Sequence, residues 1–240
     1  MLEWLLAPLD ATRPHDVGFH LSWHARFMVL AWGVLVPTGV LAARYFKIMP
    51  NQSWPHEVDN RTWWNTHRAC QYSAAALTVV SIIVIRLAPE VTWSSGLHYI
   101  FGWTVVGLAV LQIAGGIMRG SKGGPTEPAP DGTLSGDHYD MTRRRIVFEY
   151  THKTLGYFAL LVAAIAILTG MWQANAPRWM VVFVVSWWGA LATIAVWLQS
   201  RGMCVDTYQA LWGPSADHPG NKREKPIGYR VRRIHGEPGE

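Results

Sequence analysis

The side chains with chemistry to offer are histidines. His24, His67, His98 and His152 each stand near the N-terminal end of a separate long apolar run. The third run reads His98-Tyr-Ile-Phe-Gly-Trp103 and stays apolar to Met118. The fourth reads His152-Lys-Thr-Leu-Gly-Tyr157 and stays apolar to Trp172. A neutral imidazole is the commonest metal ligand among side chains. An ionisable group at the edge of a bilayer-spanning helix is costly, and so points to function by default.

The elements that must position these side chains follow from composition. Of 240 residues, 50% are hydrophobic and only 15% are charged, and the charges avoid the apolar runs. Five runs, 27–43, 70–85, 99–118, 154–172 and 179–198, approach the ~20 apolar residues a membrane helix needs once their flanks are counted. The first contains Pro37 beside Thr38 and Gly39, which membrane helices tolerate because neighbours take up the freed carbonyl. The fold class expected is an all-α membrane protein with five transmembrane helices: a four-helix core bearing the histidines, and one further C-terminal helix. Residues 1–20 form an N-terminal arm, 21–200 the membrane domain, and 201–240 a polar, basic tail left without structure. The arm has no basic start and no cleavage site, so no secretory signal is expected. Its Leu2, Trp4, Leu5, Leu6 and Leu9 make either an interfacial patch or an ordinary ordered arm. Cys70 and Cys204 supply no disulfide framework.

Basic residues set the orientation. With five antiparallel spans, one face carries Arg13, Arg26, Arg86 and Arg178. The other carries the rest of the 21 lysines and arginines, including Lys122 and Arg143 to Arg145 in the polar loop 120–146. The positive-inside rule places the N-terminus outside and the C-terminus in the cytoplasm. The expected home is a bacterial inner membrane. The net charge of +5 is explained by this asymmetry and asks for no nucleic acid.

Each histidine opens its span and consecutive spans alternate, so His24 and His98 fall near the outer face and His67 and His152 near the cytoplasmic one. A hydrocarbon core ~30 Å thick forbids pairing across faces. Two same-face imidazoles on neighbouring helices can grip one iron from both sides. The reading is therefore two haem b groups, held without covalent attachment because no Cys-x-x-Cys-His is present. Flat cofactors need missing side chains: Gly102 and Gly156 lie four residues after His98 and His152, on the same helix face, and Gly116 and Gly170 repeat the correspondence further on. Close helix packing is the competing explanation for these glycines.

The run from His24 through Trp32-Gly33 to Arg44-Tyr45 resembles the first core helix of the cytochrome b561 family. His67-Arg-Ala-Cys-Gln71 resembles the second, and His98 with Gln112 and His152 with Gly156-Tyr157 resemble the third and fourth. The likeness covers roughly residues 20–200 and is nearest the membrane portion of DOMON-fused members. It implies the same histidine pairs, and transmembrane electron transfer from a small reductant or carrier to ferric iron or a redox partner. Arg44 and Lys47 fall where the family carries cations at the cytoplasmic mouth. With Arg68 and Lys153 they are the expected contacts for an anionic donor or a haem propionate, unless they are plain interface anchors. No DOMON domain is seen, so a partner protein is expected to replace it; a homodimer is also compatible.

Two other functions fit less well. A metal-ion transporter would gather its ligands near the bilayer midplane, and these histidines sit near the faces with no acid inside the spans. A haem-bearing anchor subunit exchanging electrons with quinone and a partner enzyme differs only in its electron source. His20, four residues before His24, is the rival ligand, set aside because His24 lies closer to the apolar run. His15, His56, His138, His218 and His235 fall in loops or the tail, where surface histidines are the default. Cys70 reads as an inert buried thiol, and Trp32, Trp103 and Tyr157 as core aromatics.

Overall fold

A computed structural model describes residues 1–89, 96–120 and 133–234; Lys122, His235 and part of the loop 120–146 lie outside them. Helix α1 is Leu2–Leu6. Five long helices follow: α2 Phe19–Tyr45, α3 Thr62–Arg86, α4 Leu97–Ile117, α5 Arg143–Gln173 and α6 Arg178–Ser200. A short α7, Thr207–Trp212, and a 3-10 turn, Pro219–Lys222, lie in the C-terminal segment. The five long helices have the length and composition to cross a bilayer. Val79, Ile83, Val110, Leu111, Phe183 and Val196 on them are more than half exposed. Apolar side chains turned outward along such helices suit a lipid solvent, in which only the backbone must be satisfied internally. The chain is an integral, multi-pass membrane protein.

All five helices start before their expected runs, because polar and amphipathic flanks continue the backbone hydrogen bonding, and all but α4, which stops at Ile117, also end beyond them. The largest difference is α5, which starts at Arg143, so His152 lies roughly two and a half turns inside it rather than at its mouth. The early turns bring in an acid, Glu149, that the sequence reading left outside the spans.

The chain divides into two compact units: Met1–Gly39, Arg68–Val110 and Tyr157–Ala195 form one, and Val40–His67, Leu111–Gly156 and Val196–Glu240 the other. In the first unit, α2 passes through a π-helical stretch, Val29–Leu35, just before Pro37. Pro37 has no N–H to give the carbonyl four residues back. That carbonyl, on Gly33, instead accepts the indole N–H groups of Trp187 at 3.0 Å and Trp188 at 3.3 Å. The N-terminal arm is ordered. Leu9 N donates to Ala176 O, Arg178 N donates to Ala7 O, and the Asn175 amide bonds Asp10 and Arg13. Leu2, Trp4 and Leu6 remain exposed on α1.

In the second unit, the segment after Ser200 is structured, at least to Ile234. Val205 and Arg232 form a β-bridge, and Asp206 caps α7 through the Tyr208 N–H. Tyr208, Ala210, Leu211 and Trp212 are buried against Ile48, Trp63, Leu134, Tyr139 and Met141. The basic composition hid this small aromatic core: a few large apolar side chains suffice when a preformed surface is there to receive them.

Candidate functional site

The first unit brings His24, on α2, to His98, in the first turn of α4. Their ring centroids are 6.0 Å apart with planes nearly perpendicular, at 88°. The His98 Nδ1 lies 2.8 Å from the Ala166 carbonyl of α5. A carbonyl only accepts, so Nδ1 carries the proton and Nε2 keeps its lone pair. Gly170, one turn further along α5, makes room: a Cβ there would stand 2.8 Å from the His98 ring. The His24 Nδ1 meets Ser81 of α3, at 2.9 Å from the hydroxyl and 3.3 Å from the carbonyl. Trp32 donates to Thr78 one turn earlier on α3. His20 packs edge-on against Phe19.

The second unit brings His67, on α3, to His152, on α5, with centroids 6.3 Å apart and planes at 75°. Trp64 stacks on His67 and Phe148 lies against His152, while Arg119 sits over Trp64 at 4.1 Å. Gln112 donates to the His152 carbonyl at 3.0 Å, and its amide would lie 3.5 Å from a Cβ on Gly156. The His152 Nδ1 is buried without a hydrogen-bond partner.

These separations have a simple meaning. Two imidazole nitrogens each ~2 Å from one metal, with ring centres about 1.1 Å behind them, put the centroids about 6 Å apart. Perpendicular planes are compatible with two axial ligands on one iron. Among the described residues, no group of three or more His, Cys, Asp or Glu could hold a bare ion. Two nitrogens alone leave the remaining positions of an iron to be filled by a macrocycle. Nothing lies within 4 Å of a Cβ built on Gly102 or Gly116, so no neighbour bars a flat group there. The residues present fit a haem at each pair.

Three of the four cations behave alike, and the fourth does not. In the second unit Arg44 donates to Gln199 Oε1 and Tyr229 O, each at 2.9 Å. Lys47 is buried and donates to Arg44 O and Val205 O. Burial, with Lys153 nearby, draws the Lys47 ammonium down to about 8. Lys153 bonds Glu149 Oε2 and Ile227 O, both at 2.8 Å. All three therefore hold carbonyls of the C-terminal segment. In the first unit, Arg68 lies over the Tyr72 ring at 5.7 Å.

His138 is not the surface histidine its loop position suggests: it is 0% exposed. It accepts the Trp212 indole N–H at Nδ1, 3.0 Å away, and its Nε2 stands 3.8 Å from Glu149. Burial first, then the Arg145 charge, pushes its pKa down to about 3. Glu149 is paired with Arg145 and Lys153, each four residues away on α5. That i, i+4 charge pattern was visible in the sequence. Ser81 left no comparable signal, since its partner is 57 residues distant.

No family model and no solved structure matches the chain. Curated proteins do. A cytochrome b561, DM13 and DOMON domain-containing protein of Arabidopsis thaliana is 29% identical over 162 residues, 68% of this chain and 16% of that protein. Ferric-chelate reductase 1 of Bos taurus is 28% identical over 153 residues, and that of Homo sapiens 29% over 153; each match covers 63% of this chain and 22% of the relative. The matched region thus spans less than a quarter of these proteins. Five apolar helices and two facing imidazole pairs define a helical membrane protein built around histidine pairs. These likenesses support a cytochrome b561-type family for the chain.

Proposed function

We propose that the chain is a di-haem b-type cytochrome carrying electrons across a membrane, one haem between His24 and His98 and the other between His67 and His152. The observation that carries this reading is the pair of imidazole separations, 6.0 and 6.3 Å. A bound haem supplies the one-electron couple. The chain would supply the imidazole nitrogens that hold it, their orientation and an apolar surround. Ala166 and Ser81 aim the rings of the first pair, and Gly170 leaves His98 its space. Gln112 secures the backbone of His152, and Trp64 and Phe148 shield the second pair from water, which sets the local dielectric.

Ferric iron in chelated form is the acceptor we infer, because relatives are named ferric-chelate reductases. The donor is a small reductant or a redox partner. Arg44, Lys47 and Lys153 act through the C-terminal segment they hold, and Arg68, whose guanidinium lies over the Tyr72 ring, is the proposed contact for a propionate or an anionic donor. The test is haem quantification with a reduced-minus-oxidised spectrum. Two haems per chain are expected, with His24→Ala and His67→Ala each removing one. Reduced protein in vesicles should then pass electrons to a ferric chelate on the far side. A folded chain holding fewer than two haems overturns the reading.

A further inference from the structure

Ser81 breaks a pattern set by six threonines of the spans. Thr38, Thr78, Thr104, Thr151, Thr169 and Thr193 each donate to the carbonyl four residues back on their own helix. This is the default for a hydroxyl in a helix surrounded by apolar groups. Ser81 is 0% exposed, yet its hydroxyl bonds only to another helix. It donates to His24 O at 3.1 Å and contacts His24 Nδ1 at 2.9 Å.

The hydroxyl has one proton. Given to His24 O, that proton leaves the Ser81 oxygen as acceptor toward Nδ1, so Nδ1 carries hydrogen and Nε2 presents its lone pair. The Ser81 carbonyl, 3.3 Å from the same nitrogen, demands the same tautomer. His98 is fixed in the same way by Ala166 O. Ser81 therefore latches residue 24 at both its backbone and its ring. The second pair has no such device at His152, whose Nδ1 is buried without a partner.

We propose that Ser81 is the positioning residue that holds the His24 imidazole as an Nε2 ligand and, by accepting its Nδ1 proton, lowers the potential of the haem in the first unit relative to the second. This rests on the haem reading above. A ligand imidazole that donates through its other nitrogen is more basic and gives more electron density to the metal, which favours the oxidised state; such hydrogen bonds are one of the protein's levers on potential.

The experiment is potentiometric titration of the full-length chain, wild type, Ser81→Ala and Ser81→Thr, each also in a His67→Ala background that leaves only the haem at His24 and His98. Haem content is measured on every sample. Ser81→Ala is expected to keep its haem while the midpoint of the first-unit haem rises and that of the other stays. Ser81→Thr, which retains the hydroxyl, returns the midpoint toward wild type. An unmoved midpoint in Ser81→Ala, an equal shift of both haems, or a threonine variant that tracks the alanine one overturns the role of Ser81 while leaving the haem reading intact. Wild-type protein without haem overturns both.

Discussion

Gly170 lacks a side chain, and His98 uses the space. A methyl group there would stand 2.8 Å from the imidazole, closer than carbon atoms pack, so the ring would have to move. Alanine is also the better helix former by roughly 1 kcal/mol. Gly170→Ala should therefore cost the helix nothing while expelling one haem, leaving one per chain by haem assay in a fully helical protein by circular dichroism. A variant retaining both haems would mean that His98 does not need its present position. The neighbouring histidine choice is tested the same way: His20→Ala should keep two haems, because the ring that faces His98 is His24. The four ligand candidates were legible in the sequence because an imidazole in an apolar run has no bland reason to be there. Ser81 was not, because a serine in a membrane helix ordinarily bonds its own backbone. Glu149 was missed because the helix was started too late, and His138 because a loop position says nothing about what folds over it.

Helix α2 tolerates Pro37 only because α6 supplies donors to the Gly33 carbonyl. Losing one indole leaves the other, so Trp187→Phe or Trp188→Phe alone should change stability little. The double variant strands a carbonyl in an apolar site, which costs about 1–3 kcal/mol, and should lower the melting temperature in detergent by more than the sum of the singles. Adding Pro37→Ala restores an N–H for that carbonyl and should recover most of the loss. If the three changes are additive, the indoles are not substituting for the proline's missing bond. The spans themselves could be read from hydropathy because length and apolarity suffice; the π-helical stretch could not, since it depends on partners in another helix.

The C-terminal segment was unreadable for a similar reason. Its core is completed by residues from elsewhere in its unit, and it buries His138 among Arg145, Glu149, Arg119 and Lys153. Here the folded pKa, about 3, lies below the ordinary 6.5. Between these values the opened state binds a proton that the closed state refuses, so closure strengthens as pH rises. Acidifying from pH 7 should loosen the segment progressively below 6.5. Amide exchange at Tyr208 to Trp212 should report this, and His138→Phe, which cannot titrate, should flatten that dependence.

At the scale of the whole molecule, the decisive quantity is the membrane potential. On the reading proposed above, alternation of the spans sets the two histidine pairs at opposite faces, with His67 and His152 at the cytoplasmic one. An electron moving between haems so placed moves charge through the field. Full transit is worth ~2.3 kcal/mol per 100 mV, an upper bound of roughly fifty-fold on the electron's distribution between the haems, with the value reached set by the fraction of the field crossed. A half-reduced protein in oriented proteoliposomes should therefore shift its electron toward the haem on the more positive side when a potassium diffusion potential is imposed. The shift should reverse when the potential reverses. In the His67→Ala variant, which has a single haem, the spectrum should ignore the potential altogether. A wild-type distribution indifferent to voltage would place both haems at one depth in the membrane. The histidine pairs would then serve a reaction at one surface, and the case for conduction across the bilayer would fall even with both haems bound.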